Sequence, residues 1–264
     1  MINPGTGLPS LDIWVMQRAS LDAPWGTPQN LGPKINSPYS DQCPRLAPDG
    51  YTLIFASNRP GGLGQHDLYM AHRSNQRDDF GWDFAENMGS AVNSSFQDYT
   101  PGSFEDENGN FILYFSSTRP GGPGGADVYT SVMQNDGTFG PAVLVPELSS
   151  KDDDFFPIPR RDGLELFLSS SRAGTLGGRD LWVSTRASTS APWSTPVNLG
   201  PSINSTANDE GTGMPFSETS LIFNSDRQGG AGGFDLYEIK RPKLASGLGS
   251  ALSRAKALGL IGSD

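Results

Sequence analysis

Ser57-Asn58-Arg59-Pro60-Gly61-Gly62 leads into Asp67-Leu68-Tyr69, and Ser117-Thr118-Arg119-Pro120-Gly121-Gly122 leads into Asp127-Val128-Tyr129. The unit returns as Ser170-Ser171-Arg172 before Asp180-Leu181-Trp182, and as Ser225-Asp226-Arg227 before Asp235-Leu236-Tyr237. In all four copies the arginine stands eight residues before the aspartate. Asp12-Ile13-Trp14 is a fifth copy of the second half, and successive aspartates lie 53–60 residues apart. Self-similarity at a fixed period marks a chain built from stacked supersecondary units.

A second block follows each Asp-apolar-aromatic triplet. It reads Ala23-Pro24-Trp25-Gly26-Thr27-Pro28-Gln29-Asn30-Leu31-Gly32 and recurs from Ala191 to Gly200, with weaker copies at Gly81-Trp82 and Thr138-Phe139. Ile35-Asn36-Ser37, Val92-Asn93-Ser94 and Ile203-Asn204-Ser205 close the unit. Tyr51 to Ser57, Phe111 to Ser117, Leu164 to Ser170 and Ser220 to Asn224 are short apolar runs bounded by turn residues, hence strands. Pro48-Asp49-Gly50 and Arg161-Asp162-Gly163 are turns between a first and a second strand. The Asp-Leu-Tyr runs make a third strand, and the Trp-x-x-Pro block an outermost fourth, where proline is tolerated.

The expected fold class is therefore all-β, a β-propeller of four-stranded antiparallel blades. Counting strands along the chain gives two, four, four, four and three. Five Asp-apolar-aromatic modules predict five blades with incomplete terminal ones; four blades closed by the N-terminal strand is the alternative. Residues 1–241 read as one propeller domain. Residues 242–264 read as a tail or short helix, with Leu248, Leu252 and Ala255 at near-helical spacing.

The composite pattern D-x-x-P…PDG…(L/I)-x-F-x-S-x-R-x-G-G-x-G-x-x-D-L-Y resembles the TolB-like, WD40-like (PD40-type) propeller repeat across residues 12–241. The resemblance implies the fold. It also implies a bacterial, periplasmic or extracellular setting, although the first ten residues lack the basic and apolar regions of a signal peptide. It says little about activity, because propellers host many unrelated ones.

Composition narrows the partners. A formal charge of −10 opposes nucleic-acid binding, which needs a basic face. No apolar run is long enough to predict membrane insertion. The single cysteine, Cys43, rules out an internal disulfide. An incomplete terminal sheet leaves an open edge, so the chain is expected as a monomer or as a dimer through its unfinished blades.

Four constellations are candidates for chemistry. The repeated pairs Arg59–Asp67, Arg119–Asp127, Arg172–Asp180 and Arg227–Asp235 read as structural forks pinning a glycine-rich loop. The glycine loops do not open a helix, so they are not phosphate cradles. Asp41, Asp98, Asp154 and Asp209 each precede a first strand, which in a propeller lines the axial channel. They are candidate ligands for a divalent cation such as Ca2+, with capping of the local turn as the competing role. The departures from the repeat are the fourth. Asp153, Asp154, Phe155, Asp209, Glu210 and Tyr99, with Phe156 as a further apolar wall, form the preferred ligand site. Asp154, Asp209 and Glu210 are its candidate catalytic groups. His66 and His72 read as ordinary surface residues.

Two functions compete. The favoured one is a non-catalytic binding scaffold presenting a rim or acidic channel mouth to a protein, glycan or cation. The alternative is a hydrolase, either a metal-assisted esterase, phosphotriesterase or lactonase, or a glycosidase using channel-mouth carboxylates.

Overall fold

The computed structural model describes residues 10–20, 22–214 and 220–240. All regular structure among them is strand. β1 (Trp14–Val15) pairs with β2 (Gln29–Asn30) in a sheet of their own. β3 (Asp41–Leu46), β4 (Thr52–Ser57), β5 (Asp67–His72) and β6 (Glu86–Asn87) form the next sheet. β7 (Asp98–Glu105), β8 (Phe111–Ser117), β9 (Asp127–Val132) and β10 (Val143–Leu144) form the third. β11 (Asp154–Pro159), β12 (Glu165–Ser170), β13 (Asp180–Thr185) and β14 (Val197–Asn198) form the fourth. β15 (Asp209–Gly213), β16 (Ser220–Ser225) and β17 (Asp235–Lys240) form a three-stranded last sheet.

Strand order follows chain order in every sheet, the antiparallel meander of a propeller blade. The fold class is an all-β propeller with four antiparallel blades. The strand count per sheet, two, four, four, four and three, is the one the repeat predicts. The fifth blade is corrected to a two-stranded sheet. β1 and β2 carry third- and fourth-strand sequences, and they pair with each other. The expected helix over residues 242–264 lies outside the described residues.

The chain divides into two compact units, Met1–Tyr99 and Thr100–Asp264, with the division inside β7. In the first unit, Ile13 and Ile35 pack against Leu53, Phe55, Tyr69, Ala71 and Trp82. In the second, Phe104, Tyr114 and Val128 pack against Leu166, Leu168, Trp182 and Trp193. Phe167, Leu181 and Val183 pack in turn against Leu221 and Phe223. Leu166 and Leu168 thus face one neighbour while Phe167 faces the other, the period-2 alternation of a strand. Both faces are covered, so β12 is apolar throughout its centre.

The spacing between sheets is tight. A Cβ on Gly102 in β7 would collide with the carbonyl of Pro157 in β11. Because Leu168 is fully buried between two sheets, Leu168→Ala is expected to cost about 2–5 kcal/mol in urea unfolding. A loss under about 1 kcal/mol, the range of exposed sites, would show that these faces do not pack as described.

Candidate functional site

Each blade begins with an aspartate, and its surroundings repeat. The N–H groups of Asp41, Asp98, Asp154 and Asp209 each donate, at 2.8 Å, to the carbonyl just before the preceding sheet's third-strand aspartate: Leu11, His66, Ala126 and Arg179. The carboxylates are fully buried. Oδ2 of Asp41 accepts the N–H of Ser37 at 2.5 Å and its hydroxyl at 2.9 Å. Ser94 gives Asp98 the same pair at 2.6 and 2.8 Å, and Ser205 serves Asp209 at 2.6 and 2.9 Å. Ser150 donates its N–H to Asp154 at 2.6 Å.

The arginines go to these acids. Arg59 binds Asp41 at 2.6 Å, Arg172 binds Asp154 at 2.5 Å and Arg227 binds Asp209 at 2.5 Å. The expected pairings Arg59–Asp67, Arg172–Asp180 and Arg227–Asp235 are therefore corrected. Register explains the change. Ser57 at the end of β4 sits opposite both Asp41 and Asp67. Arg59 then turns towards β3, donating Nε to Ser57 and Nη2 to the Ile35 carbonyl. Its guanidinium lies over the rings of Phe55 and Tyr69, and Arg119 lies likewise over Phe115 and Tyr129.

The third-strand aspartates instead close the glycine loop. Asp67 accepts from the N–H groups of Leu63 (2.6 Å) and Gly64 (2.9 Å) and from the Asn87 side chain (2.8 Å). Asp180 accepts from Leu176 N–H and Asn198 in the same way, and Asp235 accepts from Gly232 N–H.

Asp127 departs from this pattern. Proline at 123 has no N–H where Leu63 and Leu176 donate, and Leu144 stands where Asn87 and Asn198 stand. What remains is the Gly124 N–H at 3.2–3.3 Å. Burial pushes the Asp127 carboxyl above the usual carboxylate range, Gly124 opposes this, and Asp154 and Asp153 push it further up. Asp153 is partly exposed, and its Oδ1 accepts the N–H of Ala126 at 3.1 Å. Asp153 thus bonds the residue next to Asp127, and the two carboxylates repel each other electrostatically.

The residues expected as cation ligands do not fit one. The oxygens of Asp41, Asp154 and Asp209 are taken by arginine and serine donors, and Ser94 binds Asp98 in the same way. Among the described residues no three His, Cys, Asp or Glu side chains converge as a metal site. The candidate catalytic pair Asp154 and Asp209 is buried in the same locks. Glu210 is partly exposed and binds Arg179 at 2.6 Å. Arg179 in turn lies 4.5 Å over the Phe155 ring. Phe155 and Glu210 are therefore brought together by an arginine that the repeat pattern does not single out. Tyr99 ends the first unit, whereas Phe155 and Glu210 belong to the second. Beside Arg179, a polar cavity of about 500 Å³ is lined by Gly178, Ala207, Asn208, Asp226 and Arg227. His66 is partly buried, and that burial lowers its pKa against the pull of Asp67 and Asp41. His72 contacts the Thr52 hydroxyl at 3.2 Å.

No family model matches the sequence, and no curated protein does. Solved structures do. An α-L-arabinofuranosidase from Lactobacillus brevis is 14% identical with a TM-score of 0.56, covering 82% of this chain and 79% of that one. A GH43 endo-arabinanase from Bacillus licheniformis is 13% identical with a TM-score of 0.54, covering 78% and 75%. CoXyl43, a GH43 β-xylosidase/α-arabinofuranosidase from a compost microbial metagenome, was solved with xylotriose in a calcium-free form. It is 14% identical with a TM-score of 0.56, covering 94% and 87%. At this identity the likeness establishes the propeller fold. The expectation of a non-catalytic binding scaffold is corrected on this finding, since these propellers are all glycoside hydrolases.

The two kinds of aspartate predict opposite responses to pH. Burial pushes the Asp209 carboxyl up, but hydrogen bonds from Ser225, Arg227 and Ser205 outweigh it and hold the pKa below the ordinary value. Its contribution to stability is present above about pH 4 and is lost as pH falls through the lowered pKa. Asp209→Asn is expected to cost about 1–3 kcal/mol at neutral pH by weakening the buried bonds from Arg227 and Ser205. For Asp127, whose pKa is raised, the contribution is present in acid and lost as pH rises through that value. Asp127→Asn should therefore be neutral or stabilising at pH 7. Chemical denaturation across pH 3–8 checks both; equal costs for the two substitutions at pH 7 would contradict this account.

Proposed function

We propose that the protein is a hydrolase of glycosidic bonds, built on blades of the TolB-like, PD40 type. The observation that carries this reading is the Asp127–Asp153 pair, set in a fold like that of GH43 hydrolases. Glycoside hydrolysis requires two carboxyl groups in different protonation states, one to deliver a proton and one to act as an anion. A low-polarity setting that removes amide donors is a general way to keep one of them protonated. Here the repeat supplies an aspartate at every third strand, and one copy has lost two of its donors to Pro123 and Leu144.

In this reading Asp153, the more exposed member, meets the substrate. Asp127, its carboxyl pushed above the ordinary range by burial, lies beside it and tunes its charge. Glu210 is a polar anchor for sugar hydroxyls, its carboxylate fixed by Arg179, which Phe155 backs. No step is assigned to a metal ion, because the aspartates that open the blades are already engaged by serine and arginine donors.

The test is turnover of aryl arabinofuranosides, aryl xylosides, arabinan and xylan by the full chain. Asp153→Asn is expected to lower kcat/KM by about 10²–10⁴-fold, the scale of a lost acid or base. Asp127→Asn is expected to displace the pH profile of kcat/KM while the protein stays folded. Absence of turnover on every substrate, or full activity in Asp153→Asn, would overturn the proposal.

A further inference from the structure

The sheets meet by one packing rule. Alternate residues of a third strand face the preceding and the following sheet. Ile13 turns towards the following sheet and is buried against Leu53, Phe55, Tyr69, Ala71 and Trp82. Leu181 and Val183 turn the same way and pack with Leu221, Phe223 and Tyr237. Trp182 in β13 and Trp193 before β14 turn the other way, onto Phe104, Tyr114 and Val128 of the preceding sheet. The Trp193 indole N–H donates to the Tyr114 hydroxyl at 3.2 Å. Each contact thus sets a small third-strand residue of one sheet against an aromatic set on the next.

Two faces carry half of this rule without the other half. Leu236 in β17 is the counterpart of Leu68, Val128 and Leu181, which are fully buried, yet it is 71% exposed. Phe234 beside it is exposed as well. In the first unit, Trp14 and Trp25 are the counterparts of the buried Trp182 and Trp193, yet they are 56% and 54% exposed. Met16, Gln17, Arg18, Ala19 and Trp25 line a hollow of about 490 Å³ there, with the Arg18 guanidinium 4.4 Å over the Trp25 ring. Among the described residues no fourth strand pairs with β17, and no first or second strand joins β1 and β2. Exposed apolar residues clustered on open sheets are the usual mark of an association surface.

We propose that the two faces mate between copies, the Leu236 face of one chain seating on the Trp14–Trp25 face of a second. A second copy is the occupant because each face supplies what the other lacks. Leu236 is the aliphatic residue that an aromatic set covers, and Trp14, Met16 and Trp25 are such a set. Pairing two Leu236 faces would place aliphatic on aliphatic and leave both tryptophans in water. The contact is head-to-tail, so it closes a ring or extends a row. It is independent of the glycosidic reading.

The experiment is sedimentation velocity on the full chain and on Leu236→Asp and Trp14→Asp, from about 1 μM to about 1 mM, the range of modest protein contacts. The parent is expected to gain mass with concentration. Each variant alone should associate at least about tenfold more weakly, because the contact would bury an unpaired acid. An equimolar mixture of the two should form a two-chain particle, since each keeps the face that the other has lost. Both positions are more than half exposed, so in dilute solution both variants are expected to melt with the parent. A parent that stays a single chain at every concentration overturns the proposal. So does a mixture that associates no better than its components, or a Trp14→Asp variant that associates like the parent, which marks a like-to-like contact through Leu236. A variant that melts lower in dilute solution shows that its residue packs within its own chain, and overturns the proposal too.

Discussion

A buried carboxylate at the start of each blade is the group on which the rest of the structure depends. Asp41 ties its backbone N–H to the preceding sheet, its Oδ2 to Ser37 and its Oδ1 to Arg59. A fully buried charge is tolerable only with such partners, because desolvation otherwise outweighs what it gains. The arginine is partly buried beside it, stacked over Phe55 and Tyr69 and bonded to the Ile35 carbonyl. One ion pair therefore joins the first strand, the loop after the second strand, the third-strand aromatic and the segment entering the blade.

The Ile-Asn-Ser triplet gains its meaning from the same lock. Ile35 enters the core, Asn36 brackets Ile13, just before β1, with both ends of its amide, and Ser37 reaches Asp41. Asn93 brackets Leu68 and Asn204 brackets Leu181 in the same manner. Each triplet thus satisfies a third strand's backbone groups that would otherwise be left unpaired in the interior. The most regular part of the sequence is architecture, and chemistry has room only where a copy departs from it. Asp127 is such a departure. Burial raises its pKa, and Pro123 and Leu144 stand where the other copies carry hydrogen-bond donors to the carboxylate. That is a loss of stability, and losses of this kind collect at functional positions.

Strand number, sheet membership and the all-β class were legible because period and turn chemistry are local. Pro48-Asp49-Gly50 turns wherever it is placed, and Leu53 to Ala56 alternate sides regardless of partner. The arginine partners were not legible. Spacing placed Arg59 eight residues before Asp67, but an ion pair follows distance in space. Antiparallel register sets Ser57 between Asp41 and Asp67, so either acid is available until the loop direction is known. The candidate ligand site was half legible. Phe155 and Glu210 do meet, through Arg179, whereas Asp154 and Asp209, singled out for their charge, are locked away by the repeat's own arginines.

From the sequence alone came a chain of repeated antiparallel sheets and the positions where its copies differ, since these depend on periodicity and residue type. The tertiary structure alone decided which carboxylates are buried and paired, which one has its pKa pushed up by burial, and which residues take a left-handed bulge. Those properties arise from desolvation, donor geometry and close backbone approach between segments far apart in the chain, and no local pattern encodes them.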